Sequence, residues 1–419
     1  MTRFTCILVG DETLLIGCGD QLRDRGHEIL AVVSRNPAIR DWASHEGLPT
    51  FDDANAMRDG PRTNGADWLL SIANLSVIPD DVRALARRGA VNFHDGPLPG
   101  YAGLNTPVWA LMAGETKHGV TWHMMEAGVD TGDILVQREI AIEPGETAHS
   151  LNSKCYAAGL DSFGAVLDEL ETGQPHRRPQ DLTQRGYFGA RHRPPAGGRL
   201  DFAHPSDDLA RTVRALDFGG YWHPVARPRF TAGGRAFFVG TAEAIAGTDK
   251  ATPGRVLDTA GGRLVIATQD GAIALSSLTD AAARPVHPQD IAEAGQVLPS
   301  PSPDDADRLR ALAAELAGHQ DRWRDRLAGM TPVNVPLAGE ATHTPDWAET
   351  TLHLPRGSDR DARIALLALW ALQGAGQVAA DVAMAHAALS ERAAASPDQL
   401  TPWVPLRADT TGCATFGAL

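Results

Sequence analysis

The chain has 419 residues, of which 43% are hydrophobic and 21% are charged. Its 52 acidic and 38 basic side chains give a formal net charge of −14 at pH 7. This balance argues against a nucleic-acid partner, because phosphate backbones bind to basic surfaces, although a local basic patch remains compatible with it. At about 150 residues per domain, the length predicts two to three domains.

The cysteines lie far apart and include no CxxC pair, which favours a reducing compartment. They are Cys6, Cys18, Cys155 and Cys413. The N-terminus has no cleavable signal pattern, and no apolar run reaches the roughly 18 residues that a membrane span needs. The sequence therefore predicts a cytoplasmic protein with no membrane partner.

Short apolar runs alternate with amphipathic stretches over the first third of the chain. The runs cover residues 4–10, 28–34, 68–74, 90–93 and 119–125, and the helical stretches cover 14–25 and 79–88. Apolar strands separated by helices are typical of a parallel sheet covered on both faces. A strand around 134–142 precedes a long amphipathic helix, for which Thr147 is the predicted N-cap.

The amino-acid composition and the hydrophobic pattern change after residue 178. Residues 179–198 are rich in Arg, Pro and Gly and predict a linker, with the Arg-rich part at 185–193 more typical of a solvated segment than of an anion site. Short β-like runs between 235 and 275 then predict a small β-barrel or sandwich.

A second linker at 298–305 opens a helix, one face of which carries a set of large apolar side chains. These are Leu309, Leu312, Leu316, Trp323 and Leu327. Near the C-terminus, the apolar run 364–372 predicts a buried helix. We accordingly expect three domains, at 1–185, 199–297 and 304–419.

The densest polar constellation is Asn92, His94 and Asp130. Asn92 and His94 are two residues apart at the exit of a predicted strand, so their side chains leave it on the same face. Active sites of open α/β sheets form at the carboxyl ends of strands. Three such groups are suited to stabilising an oxyanion, moving a proton and orienting an imidazole. Taken alone, a histidine at a strand end is more often structural.

The segment from Asn92 to Leu135 resembles the core signature of the folate-dependent formyltransferases, in which Asn-x-His precedes a Leu-Pro turn and a GVT strand leads to an Asp-Thr-Gly-Asp loop. The resemblance implies an α/β fold: a Rossmann-like parallel-sheet catalytic domain, then a small OB-like β-barrel and a mixed α/β extension. The motif variants HDGPLP, YAGLN and GVTWHMME are similar to those of the formylation domains at the start of nonribosomal peptide synthetases.

The resemblance also implies a reaction. The formyl donor is N10-formyltetrahydrofolate and the acceptor is a primary amine. Asn92 and His94 stabilise the oxyanion, while Asp130 orients His94 and helps to remove the amine proton. The folate lies against a turn and a loop, whose expected contact residues are Gly96, Pro97, Leu98, Pro99, Ala127, Gly128 and Val129. We predict no metal site.

Two departures from tRNA-acting members bear on the acceptor. This chain has GPLP where many of them have SLLP, so a Ser hydroxyl is missing and Pro97 removes a backbone donor. It also has Gly100-Tyr101-Ala102 where they carry an Arg. With the net charge, these departures predict no tRNA partner. They favour an amino acid or an aminoacyl-carrier protein in peptide natural-product (antibiotic) biosynthesis.

The last hundred residues are similar to fragments of a nonribosomal condensation domain. The similar segments are a Trp-x3-Leu-x-Gly helix at Trp323 and a Pro-Leu-Arg strand at 403–409. The His-His-x3-Asp-Gly motif of such domains is absent from the sequence, so we infer no condensation activity. The segment 304–419 is instead a candidate docking module for a peptide-synthetase partner, or a plain helical extension.

Other functions remain open at this point. The same three residues suit a formyltetrahydrofolate hydrolase or a formimidoyltransferase, and a non-catalytic scaffold with a folate pocket is a third alternative. Gly17-Cys18-Gly19 is a weak start of a dinucleotide fingerprint. His123 either lines the pocket or packs structurally, and the aromatic turn at 217–224 either faces the acceptor or belongs to the barrel core.

Overall fold

The computed structural model describes residues 2–57, 65–247, 251–334 and 359–411. The chain divides into two compact units, Met1–Glu315 and Leu316–Leu419. The domain boundaries expected from the sequence are finer than this division and stay a prediction.

The first unit opens with a sheet flanked by helices. Its elements are β1 (Thr5–Val9), α1 (Leu14–Asp24), β2 (Glu28–Val33), α2 (Pro37–His45), β3 (Thr50–Phe51), β4 (Ala66–Ser71), α3 (Asp80–Arg83), β5 (Ala86–His94), β6 (Ala102–Gly103), α4 (Thr106–Ala113), β7 (Lys117–Met124), β8 (Ile134–Ala141) and α5 (Ala148–Glu171).

Seven of these strands form one sheet in the order β3-β2-β1-β4-β5-β7-β8. Strands β1 to β5 are parallel, which confirms the Rossmann-like fold class. β7, which the apolar pattern alone assigned to the parallel set, runs antiparallel to both β5 and β8. The loop 125–133 is too short for a crossover helix, so β7 and β8 can only pair as a hairpin.

The strand order reverses between β1 and β4, because the chain fills one side of β1 first and then the side that begins with β4. Open α/β sheets bind ligands outside the carboxyl ends of the strands at such a point. β5 is the next strand after β4, so its end, with Asn92 and His94, lies beside this crevice.

Helix α5 covers the sheet with the predicted apolar stripe. Thr147 caps it in a reciprocal capping box with Ser150, as the sequence predicts. All of the stripe is buried: Leu151, Cys155, Phe163, Val166, Leu167 and Leu170. In the facing helix α1, a Cβ on Gly17 would lie 2.8 Å from Leu160, so Gly17 serves helix packing rather than a dinucleotide turn.

The predicted helix 79–88 is shorter in the structure. α3 ends at Arg83, and β5 already begins at Ala86. Arg87 and Arg88 belong to the strand because both pair with Asp67 of β4, at 3.1 and 3.3 Å from its Oδ1.

The rest of the first unit is mainly β-structure. Its elements are β9 (Tyr187–Phe188), α6 (Ser206–Ala215), β10 (Arg229–Ala232), β11 (Arg235–Phe238), β12 (Thr241–Ala246), β13 (Val256–Asp258), β14 (Leu264–Ala267), β15 (Gly271–Ser276) and α7 (Pro303–Ala317). Two antiparallel sheets, β10-β11 and β12-β15-β14-β13, enclose an apolar core that includes Phe230 and Ile273. The OB-like closure of this domain stays a prediction.

The second unit is mixed α/β. Its elements are α8 (Gln320–Ala328), α9 (Arg360–Ala375), β16 (Ala379–Ala385), α10 (Ala387–Ala395) and β17 (Trp403–Asp409). β16 and β17 pair antiparallel, and the buried Asp381 of β16 binds Arg326 and Arg407.

Two predictions for the C-terminal region are wrong. The single helix after residue 303 is broken at Gly318-His319 into α7 and α8, and of its apolar face only Leu309 is buried. The run 364–372 is helical but not buried as a whole, since Trp370 is 75% exposed and only Ala368 and Leu372 are covered. The run therefore packs one edge against a small local cluster and leaves Leu367 and Trp370 exposed.

No helix within the described ranges is long and apolar enough to cross a membrane. Cys6, Cys18 and Cys155 are free and buried, and burial raises the pKa of the Cys18 thiol well above its usual value. Cys413 lies outside the described residues. The cytoplasmic location stays a prediction.

We expect Phe163→Ala to lower the free energy of unfolding by about 3–5 kcal/mol, because it empties a fully buried site between α5 and the sheet. Exposed Asp161 on the same helix is the matched control, and Asp161→Ala should change stability by no more than about 0.5 kcal/mol. Denaturant titration measures both. Equal losses would mean that α5 does not pack as described.

Candidate functional site

Asn92 and His94 are positioned by the alternation of β5. Val91 and Phe93 point into the core, where Phe93 contacts Trp122, so the two polar side chains share the other face. His94 is only 5% exposed and Asn92 is half-buried. The structure therefore brings together the first two predicted catalytic residues.

The ring of His94 has distinct neighbours at its two nitrogens. Nε2 lies 2.5 Å from the carbonyl oxygen of Tyr101, and a carbonyl only accepts, so Nε2 carries a hydrogen. Nδ1 lies 3.7 Å from Asp130 Oδ2 and 3.8 Å from Asp95 Oδ1. A lone pair on Nδ1 between two carboxylates is suited to accept a proton, because the imidazolium formed would be stabilised on both sides.

Asp130 lies in the loop between β7 and β8, with a left-handed φ of 52°. Its Oδ2 accepts a 2.8 Å hydrogen bond from the backbone N–H of Gly103, and its Oδ1 lies 3.4 Å from His123 Nε2. Burial alone would raise the pKa of this carboxyl. The nearby His94 and the hydrogen bond from the Gly103 N–H help to outweigh burial, and the pKa is lowered to about 2.

Asp130 is expected to orient His94, but the two side chains are close enough only for an ion pair and not for a hydrogen bond. The 3.7 Å between His94 Nδ1 and Asp130 Oδ2 exceeds a hydrogen bond, and the hydrogen bond that holds the ring is the one to Tyr101. Catalytic hydrogen bonds are often long before substrate binds, so this distance is compatible with the role.

Gly96 explains why this chain lacks the Ser of SLLP. A Cβ at Gly96 would overlap the Tyr101 carbonyl oxygen and lie 2.7 Å from His94 Nε2. Any larger residue would therefore break the hydrogen bond that holds His94.

The turn formed by Gly96, Pro97, Leu98 and Pro99 has most of its backbone groups engaged within the protein. Thr121 Oγ1 accepts from Leu98 N at 3.2 Å and donates to Gly96 O at 2.7 Å. Gln137 Nε2 donates to Leu98 O at 2.9 Å, and the Leu98 side chain is buried. This part of the predicted folate site offers shape rather than free backbone hydrogen bonds.

The other predicted folate segment is open. Ala127, Gly128 and Val129 are exposed, with Val129 at 47%. At the carboxyl end of β4, the neighbour of β5, Leu75 and Val77 are also exposed, at 79% and 86%. These apolar groups suit contact with a flat aromatic ligand.

The sequence reasoning missed the segment 179–198, which was predicted to be a solvated linker. That prediction is wrong. Gln180 Nε2 donates to the carbonyls of Asp130 and Gly132, at 3.0 and 2.6 Å, and Arg185 donates to Val129 O at 2.9 Å.

β9 of the same segment pairs with β6, and the Phe188 ring stacks against both Tyr101 and Trp109. The segment therefore supports the site from behind. The only signal in the sequence was its aromatic and Arg content, which is also typical of a surface loop.

His123 also belongs to the site. It is 2% exposed, and its Nε2 lies 3.2 Å from Asn92 Nδ2. The sequence left two alternatives for His123, a packed structural residue and a residue that lines the pocket. His123 combines the two, because it is buried and also contacts Asn92. The aromatic turn at 217–224 is divided: Tyr221 is 72% and Trp222 53% exposed, whereas Phe218 packs against the core of the sheet and stacks on His223.

Comparison with known families gives two matches in tandem. Residues 4–167 match the formyl transferase family, and residues 194–295 match the formyl transferase C-terminal domain.

Curated relatives support the same family. A methionyl-tRNA formyltransferase from Myxococcus xanthus is 28% identical over 303 residues, covering 71% of this chain and 92% of the relative. One from Parvibaculum lavamentivorans is 30% identical over 270 residues, covering 60% of this chain and 84% of the relative. The expectation of no tRNA partner is therefore wrong, because these relatives are named for a tRNA substrate. Net charge averages over the whole chain and does not describe a local surface.

Two solved structures share the fold. WlaRD, a sugar 3N-formyl transferase studied with dTDP and 5-N-formyl-THF, superimposes with a TM-score of 0.52 at 17% identity, covering 66% of this chain and 98% of its own. The N-formyltransferase of Helicobacter canadensis, in complex with folinic acid and dTDP-3-aminofucose, gives 0.51 at 16% identity, covering 66% and 99%.

We expect Gly103→Ala to lower the free energy of unfolding by about 3 kcal/mol. Gly103 has a φ of 101°, and a Cβ there would overlap the Phe188 carbonyl oxygen. Gly100→Ala is the matched control in the same loop, because its Cβ would meet nothing closer than Pro97 O at 3.8 Å. Chemical denaturation compares the two. A Gly103→Ala protein as stable as Gly100→Ala would contradict the close approach of β6 and β9.

Asp130→Asn should reveal the depressed pKa of Asp130 as a pH-dependent stability. A folded-state pKa of about 2, against an ordinary 3.8, stabilises the fold above pH 4, and this stabilisation is lost as the pH falls towards 2. We expect the variant to be about 2 kcal/mol less stable at pH 7, with the difference narrowing below pH 4. Urea titrations from pH 7 to pH 3 measure this, with exposed Asp161→Asn as control. A constant difference across that range would refute it.

Proposed function

The chain belongs to the folate-dependent formyltransferase family, and from that premise we propose that it moves a formyl group from N10-formyltetrahydrofolate to the primary amine of an aminoacyl group. The observation that carries the proposal is the convergence of Asn92, His94 and Asp130 at the end of β5. An oxyanion donor, a proton acceptor and a buried carboxylate are the groups that acyl transfer to an amine requires.

The roles follow from the contacts of each side chain. Asn92 presents an amide N–H where negative charge develops on the formyl oxygen, a contribution of about 2.7–4 kcal/mol for a preorganised donor. His94 Nδ1 takes the proton that the amine must lose, while its Nε2–H stays on Tyr101. Asp130, ionised at neutral pH, stabilises the resulting imidazolium.

Of the two segments predicted to contact the folate-derived donor, the loop 127–129 fits it better than the turn 96–99 does. The exposed loop Ala127, Gly128 and Val129 leaves its surface open beside Asp130. The wall opposite is the turn of Gly96, Pro97, Leu98 and Pro99, in which Gly96 O and both backbone groups of Leu98 are already bonded. When bound, the donor supplies an electrophilic formyl carbon, and the exposed Leu75 and Val77 would contact its ring system.

An amine acceptor fits the charge of the site. Within 4 Å, His94 Nδ1 faces two carboxylates, Asp95 and Asp130, which favour a group that arrives as an ammonium and disfavour an anionic one. The named substrate of the curated relatives also presents its reacting amine on an aminoacyl group. The carrier of that group is either a tRNA or a carrier protein.

The carrier-protein alternative draws on the C-terminal extension. The likeness of residues 304–419 to fragments of a condensation domain supports peptide natural-product assembly as the context. In that context the extension is a docking module for a synthetase partner.

The acceptor panel that tests this proposal holds methionyl-tRNA, an aminoacyl-carrier protein, free amino acids, an amino-sugar nucleotide and a buffer blank. Tetrahydrofolate release is followed optically, and mass spectrometry looks for one added formyl group on each acceptor. Release in the blank alone would identify a hydrolase. Folate binding without release for any acceptor would favour the scaffold.

With the acceptor found, His94→Ala and Asp130→Asn should each lower kcat by about 10²- to 10⁴-fold, because both remove groups that manage the transferred proton. His204→Ala is the matched control, since its side chain is 61% exposed in the small β domain. Full activity in His94→Ala would overturn the assignment of the catalytic residues.

A further inference from the structure

His123 lies between two of the three proposed catalytic side chains. It sits on β7 directly opposite Asn92 in the β5–β7 register. Its Nε2 is 3.2 Å from Asn92 Nδ2 and 3.4 Å from Asp130 Oδ1, and the residue is 2% exposed. A buried ring with both nitrogens near polar atoms has its hydrogen-bonding roles set by those atoms.

The two ring nitrogens of His123 have opposite roles. Nδ1 lies 2.8 Å from the carbonyl oxygen of Met124, which only accepts, so Nδ1 carries the hydrogen of the neutral ring. Nε2 then presents a lone pair, and the Asn92 amide nitrogen, which only donates, satisfies it. Asp130 Oδ1 is an acceptor and cannot bond to that lone pair.

This contact fixes the orientation of the Asn92 amide. Without a partner, the terminal torsion of an asparagine is broad and roughly two-fold, so amide nitrogen and oxygen exchange places easily. With one Nδ2 hydrogen held by His123, the second Nδ2 hydrogen is set in direction relative to β5. An oxyanion donor must have such a fixed direction before the charge develops.

We propose that His123 is a positioning residue for formyl transfer, acting through Asn92: the chain Met124 O, His123 and Asn92 Nδ2 aims the oxyanion donor. The inference rests on the proposed function, since it assumes that Asn92 is that donor. His123 itself does not touch the reacting atoms in this scheme.

Two substitutions separate the two ring nitrogens. Gln places its terminal amide near the position of Nε2, where its oxygen can accept from Asn92. Asn places its amide near Nδ1 and keeps only the contact with Met124. We expect His123→Asn to lower kcat by about 10²-fold with little change in KM for the folate, and His123→Gln to stay near wild type.

A double-mutant cycle tests whether the effect passes through Asn92. In an Asn92→Ala background, His123→Asn should cost no further activity, because the donor that it aims is already gone. A full additional loss in that background would overturn the proposal, as would equal losses in His123→Asn and His123→Gln with both proteins folded by thermal unfolding.

Neutron crystal structures, which distinguish the amide nitrogen from the oxygen by its hydrogens, give a readout that does not need activity. The Asn92 amide should keep one orientation in the wild type and in His123→Gln, and should rotate or occupy two conformers in His123→Asn. Inactivity of the wild type with every acceptor would overturn the proposed function, and the crystal structures would still decide the positioning role. An unchanged Asn92 in His123→Asn would refute it.

Discussion

The site depends on one buried carboxylate. Asp130 accepts the Gly103 N–H and faces His94 and His123, so a single anion joins the β7–β8 hairpin, β6 and β5. Burying a charge is costly unless hydrogen bonds and opposite charges compensate it. The pKa of about 2 shows that here they do. If this anion were lost, His94 would lose a carboxylate near Nδ1, and Gly103 would lose the acceptor of its N–H.

Backbone contacts, rather than side-chain packing, hold that anion in place. Asp130 takes a left-handed φ of 52°, which costs free energy and persists only when its surroundings enforce it. Gln180 contributes by donating to the Asp130 carbonyl. β9 pairs with β6, the strand from which the Gly103 N–H donates to the carboxylate. The segment 179–198 is therefore part of the site, although it contributes no proposed catalytic side chain.

Whether a feature could be predicted from the sequence depends on how far apart along the chain the interacting residues lie. The period of two along β5 placed Asn92 and His94 on one face, and the helical period placed the buried stripe of α5, because both patterns are local. The reversed direction of β7 joins residues about thirty positions apart, and the contact from Gln180 to Asp130 spans fifty, so neither leaves a periodic pattern in the sequence. The role of Gly103 could not be predicted either, because its N–H meets the Asp130 carboxylate only in the folded protein.

The net charge of the chain is likewise a poor guide to the charge that a ligand meets at one place on the surface. The total of −14 led to the wrong exclusion of tRNA, because a sum over the whole chain does not say where positive and negative groups lie on the surface. Asp67 lies against both Arg87 and Arg88, so this cluster is locally positive although the chain as a whole is acidic. The same holds for the buried Asp381, which pairs with Arg326 and Arg407. In the reaction proposed above, the field at the amine comes from Asp95 and Asp130 beside His94. Those two carboxylates favour an ammonium at the site and are indifferent to what carries it.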